Sequence, residues 1–140
     1  MDNEATPLSL RLAAEPQNVG RVREEVGRRA AALGLAPGGV DDLKTIVSEA
    51  CANVVRHAYP EDATDRPMEV ELGKEDGELK VVIRDSGTGI RPPTGKRPSS
   101  MRLGFILMGS LADCLQLRTG RGRGTELLLK VPLRRSPQPT

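Results

Sequence analysis

The chain has 140 residues, 37% of them hydrophobic, and a formal net charge of +2. That length supports one domain with one core and excludes two ordinary domains, and so small a charge argues for neither a nucleic-acid binder nor a membrane-surface protein. No run approaches the roughly 18 apolar residues of a membrane span, and Asp2 and Glu4 stand where a signal peptide would be basic and then apolar, so a cytoplasmic protein without a membrane segment is expected.

Tyr59 and Phe105 are the only aromatic residues, which leaves a core of Leu, Val, Ile, Ala and Met. One His and two Cys do not make a zinc site, and Cys51 and Cys114 fall in apolar stretches where a reduced thiol acts as a small hydrophobe. Leu8, Leu10 and Leu12 alternate with Ser9 and Arg11, predicting a first strand that ends near Ala14. Pro16 opens a helix over 17–33, where Val19, Val22, Val26, Ala30 and Leu33 recur at three- and four-residue steps, and Gly34 closes it. Pro37-Gly38-Gly39 reads as a break before a second helix over 40–59, stopped by Pro60.

That second helix carries an apolar stripe of Val40, Leu43, Val47, Ala50 and Val54, and beside it Glu49, Asn53 and His57 stack at successive i, i+4 positions. A carboxylate and a carboxamide at the edge of a core face cost free energy unless something binds them. Residues 61–66 read as a polar loop. Met68, Val70 and Leu72, then Leu79, Val81 and Ile83, alternate with polar residues around the turn 74–77, which predicts a hairpin with one wet face. The same alternation puts Asp85 on the apolar side, directly before Ser86-Gly87-Thr88-Gly89. From Arg91 to Arg102 there are three prolines, two serines, a glycine and four basic residues without an acid, the pattern of a mobile basic loop. A helix over 103–113, a short strand at Leu115 and Leu117, a turn over 119–124 and a last strand at Leu127, Leu129, Val131 and Leu133 complete the domain, 1–133. Residues 134–140, with two prolines, read as a disordered tail. The class is α+β: a single mixed, mostly antiparallel sheet with helices packed on one face.

Taken singly, each polar feature is ordinary: Asp before Ser-Gly commonly opens a turn, and His57 at a helix end complements the helix dipole. In order, Glu49-x-x-x-Asn53, Asp85-x-Gly87-x-Gly89, Gly104 at the mouth of a helix and Gly124-Thr125 before the last strand resemble the Bergerat-fold ATPases, the superfamily of DNA gyrase, heat-shock chaperones and histidine kinases. Val47-Ser48-Glu49-Ala50, with Asn53, His57-Ala58-Tyr59 and the later Leu107-Met108 and Leu111-Ala112-Asp113, is most similar to the anti-sigma-factor serine kinases.

The resemblance implies ATP and Mg2+ as cofactors, with Asn53 as the metal ligand and Glu49 as the catalytic base. It implies Asp85, Gly87 and Gly89 on the base and sugar, Arg102, Gly104 and Thr125 around the phosphates, and His57 in a supporting place. Arg21 would contact partners, a sigma factor and an anti-anti-sigma protein of the STAS type. Whether the chain forms a homodimer stays open. Arg102 stands where such proteins carry the first glycine of the second glycine box, so a sequestering or switch module that binds nucleotide without transferring phosphate is the alternative. A nucleic-acid binder working through the basic loop ranks far below, because aromatic stacking residues are nearly absent.

Overall fold

The computed structural model describes residues 7–87, 114–120 and 124–133. Their elements are β1 (Leu8–Ala13), α1 (Pro16–Ala32), α2 (Pro37–His57), β2 (Pro67–Glu75), β3 (Glu78–Asp85), β4 (Cys114–Gly120) and β5 (Gly124–Pro132). The expected basic loop, the expected helix over 103–113 and the tail lie outside the described residues.

The strands form one sheet in the order β1-β2-β3-β5-β4, antiparallel at every pairing. The hairpin between β2 and β3 turns through Asp76 and Gly77, both at positive φ (52° and 78°). Asp-Gly is the pair a two-residue hairpin turn selects, because its twist matches that of the flanking strands.

Alternation decides which face is covered. Met68, Val70 and Leu72 of β2, Leu79, Val81 and Ile83 of β3, and Leu127, Leu129 and Val131 of β5 are all buried, in one core with the two helices. Helix α1 contributes Val22, Val26 and Ala30, and α2 contributes Leu43, Val47, Ala50 and Val54. Ile46 and Cys51 widen the α2 stripe beyond the expected residues. Fully burying each Leu or Val of this kind is worth about 1.5–3 kcal/mol. Burial also pushes the Cys51 thiol up to about 12, leaving it inert.

The opposite face is charged. The register aligns Arg11, Glu69, Arg84 and Glu126 in one row across β1, β2, β3 and β5, with alternating sign. On that face Arg84 donates to Glu126 Oε2 in its own row and to Glu71 Oε2 in the next, each at 2.6 Å.

Helix α1 ends in a Schellman motif: the Leu35 amide donates to Ala30 O (3.0 Å) and the Gly34 amide to Ala31 O (3.1 Å), with Gly34 at φ 108°. Helix α2 starts earlier than its composition suggests. Pro37-Gly38-Gly39 is not a break but the first turn, because proline at the first helical position loses no hydrogen bond. At Gly39 a Cβ would come within 2.9 Å of Leu35 Cδ1, so the missing side chain makes room for the buried Leu35.

Candidate functional site

Three segments meet around Asp85. It closes β3, opposite Thr125 of β5 and Met68 of β2, and is 9% exposed. Its Oδ1 accepts from the Gly87 amide (2.9 Å) and from the Thr125 amide (3.2 Å). Burial holds this carboxyl above the ordinary value of 3.8, and the two amide donors pull it back only in part. Among the described residues both donors go to Oδ1, which leaves Oδ2 for another donor. Gly124, at φ 76°, makes this possible: a Cβ there would fall 2.0 Å from Asp85 O.

The C-terminal end of α2 forms the second wall. Ala58 caps the helix, its amide donating to Val54 O at 3.1 Å. Its own carbonyl faces Gly87 so closely that a Cβ on Gly87 would fall 2.0 Å from the oxygen. Next to it, the Tyr59 hydroxyl donates to Pro67 O and accepts from the Ser86 amide at 2.8 Å. Burial raises the Tyr59 phenol above its ordinary 10.0, so the hydroxyl keeps its proton.

Gly87→Ala is therefore expected to destabilise the fold by about 1–3 kcal/mol, the usual cost of overpacking against something that cannot give way. Gly20→Ala, on α1 with nothing within 4 Å, should be neutral or stabilising by about 0.5–1 kcal/mol. Urea unfolding of both variants checks the contrast; equal midpoints would show that the turn can move off the helix without cost.

Along α2, Glu49 and Asn53 are half-buried and His57 is exposed. Among the described residues Asn53 Oδ1 is buried without a hydrogen-bond partner. Such an oxygen costs about 1–3 kcal/mol if nothing binds it. A lone carboxamide oxygen suits a hard cation that keeps most of its ligands as water and phosphate oxygens. Among the described residues no group of three or more His, Cys, Asp or Glu could hold a metal by itself, so a metal here would depend on a ligand's oxygens as well.

The structure thus joins Asp85, Gly87 and Thr125 directly and places Glu49, Asn53 and His57 on successive turns of the helix that abuts them. Arg21 is exposed on α1 and lines a separate open groove of about 970 Å3 with Leu8, Leu10, Arg23 and Arg29. Gly89, Arg102 and Gly104 lie outside the described residues. Sequence reasoning missed the roles of Tyr59, Ala58 and Gly124. Only Gly124 carried a usable signal, a glycine at the start of a strand.

A family model, the histidine kinase-like ATPase domain, matches residues 12–131. The serine-protein kinase RsbW of Bacillus velezensis is 30% identical over 135 residues, covering 87% of this chain and 84% of that protein. RsbW of Bacillus subtilis is 34% identical over 87 residues, 62% of this chain, and the match spans about half of that relative's length (54%). The anti-sigma F factor of Clostridium perfringens (strain SM101) is 28% identical over 139 residues, 93% of this chain and 96% of that protein. Among solved structures, the RsbU and RsbW domains of a Mycobacterium tuberculosis protein superpose with a TM-score of 0.68 at 21% identity, covering 91% of this chain and 32% of that one. The histidine kinase domain of a blue-light-activated kinase from Erythrobacter litoralis gives 0.64 at 20% identity, covering 84% and 60%. No helix among the described residues is long and apolar enough to cross a membrane.

Proposed function

The chain belongs to the histidine kinase-like ATPase domain family, and we propose that it is an ATP-dependent serine/threonine protein kinase and anti-sigma factor, which holds a sigma factor and phosphorylates an anti-anti-sigma protein of the STAS type. The observation that carries the nucleotide site is the buried Asp85 carboxylate, fixed by two backbone amides on one oxygen. A carboxylate so held accepts the exocyclic amine of adenine, and Gly87, against which the Ala58 carbonyl packs, has no side chain to obstruct the base. Gly89, two residues further along the sequence, is assigned to the same base and sugar.

The unpartnered Asn53 Oδ1 fits magnesium. When bound, the ion would neutralise phosphate charge. Glu49, one turn before Asn53, takes the proton of the substrate hydroxyl as its oxygen bonds to the terminal phosphorus and the bond to the bridging oxygen breaks, releasing ADP. Arg102, Gly104 and Thr125 serve the phosphate side, and His57, exposed at the end of α2, has a supporting place. Arg21, solvent-exposed on α1, is the proposed partner contact.

Incubation with magnesium, radiolabelled ATP and a STAS-type candidate partner tests this reading, with labelled partner as the expected result. Arg21→Ala should reduce both the labelling and the pull-down of that partner; an unchanged pull-down removes Arg21 from the interface. Arg102 in a glycine's place favours a second reading, a sequestering module without transfer. Bound nucleotide and bound partner with no label would select it.

A further inference from the structure

Asn53 and Asp85 sit on different elements, yet a ligand gripped at both ends needs them at a fixed separation. The covalent path between α2 and the end of β3 runs through the 60–66 loop and the whole β2–β3 hairpin, too long to fix it. Two contacts act instead. Ala58 O against Gly87 sets how near the turn can come, since even a methyl group would not fit between them. The Tyr59 hydroxyl works in the other direction: it accepts from the Ser86 amide, drawing the turn in, and donates to Pro67 O at the start of β2. Its ring is half-buried against the core, so the hydroxyl is held from a rigid base rather than by a mobile water.

We infer that Tyr59 is a positioning residue of the nucleotide site, its one hydroxyl holding the base-side turn Ser86-Gly87 at a set distance from the helix that carries Glu49 and Asn53. The inference rests on the nucleotide reading above. Ring and hydroxyl have separable duties: the ring packs against the core, and the hydroxyl sets the geometry that Asp85 and Gly87 present to the base.

Tyr59→Phe in the full chain keeps the first and removes the second. Its urea midpoint should fall only slightly, by the net contribution of the hydrogen bonds lost. Affinity for ADP and for ATP, each with magnesium, should fall alike by roughly five- to tenfold in calorimetry, because binding must then also order a turn that wild type holds ready. Equal loss for the two nucleotides is the signature of the base side, because they differ only in the terminal phosphate. In the nucleotide-free wild type the Ser86 amide, on an exposed residue, should exchange hydrogen more slowly than an unstructured peptide, and Tyr59→Phe should release it. A variant that loses stability but binds both nucleotides as wild type makes Tyr59 merely structural and overturns the inference. So does a loss confined to ATP, or a Ser86 amide that exchanges freely in wild type. Wild type that binds neither nucleotide overturns instead the reading beneath it.

Discussion

Glu49→Gln is expected to bind ATP and partner like wild type while losing on the order of a hundredfold to ten-thousandfold in phosphorylation rate, the usual consequence of removing a general base. The variant keeps the shape, length and helix propensity of the side chain, and the position is only half-buried, so the fold has no reason to respond. What changes is the capacity to accept a proton from the substrate hydroxyl. Asn53→Ala should behave differently. With the orphaned Oδ1 gone, nucleotide binding in magnesium and transfer should weaken together, while binding measured in EDTA should change little. Single-turnover labelling beside calorimetry separates the two patterns. A partner labelled equally fast by wild type and Glu49→Gln would sink the assignment of Glu49 as base, and the substrate proton would then pass to phosphate or water.

Asp85→Asn should weaken ATP by roughly ten- to a hundredfold, because a hydrogen bond to a charged group contributes about 1.5–3 kcal/mol and an amide can turn its own donor toward the adenine amine. The same change should stabilise the nucleotide-free protein at neutral pH. Burial raises the folded-state value of this carboxyl above 3.8, so its favourable contribution is complete below the unfolded value and is lost as pH rises through the folded one. At pH 7 the ionised group is a cost that asparagine removes, while its side-chain oxygen can still accept from Gly87 and Thr125. The melting temperature of the variant minus that of wild type should therefore be positive at pH 7 and shrink toward zero as the pH falls below about 3.8. Wild-type ATP affinity in the variant would take Asp85 out of the site.

Most of the fold could be read from periodicity. The three-and-four spacing over 17–33 predicted α1 to within a residue of Pro16–Ala32, and Gly34 ended it as expected. Period-two alternation gave the hairpin, its wet face and the inward aim of Asp85, since these are local properties of a strand. The start of α2 at Pro37 is hidden in the sequence because proline and glycine break a helix interior but not its first turn. What could not be read was the junction. That Gly87 must be glycine depends on Ala58, 29 positions earlier, arriving beside it, and Gly124 depends in the same way on Asp85 O. Tyr59 is one phenol in the sequence; its two partners, eight and 27 positions away, become neighbours only once the sheet and α2 are packed. The resemblance to a family supplied the order of the boxes, whereas the contacts that hold them together are tertiary.

The placement of Tyr59 also determines what the molecule looks like to light. It is the only tyrosine, and the chain has no tryptophan, so nearly all near-ultraviolet absorbance and intrinsic emission come from a phenol wedged between α2 and the Ser86 turn. A spectrum of the whole protein is then a spectrum of that one junction. Opening and closing of the turn become visible without a label, in a protein that would be almost dark if that residue were phenylalanine.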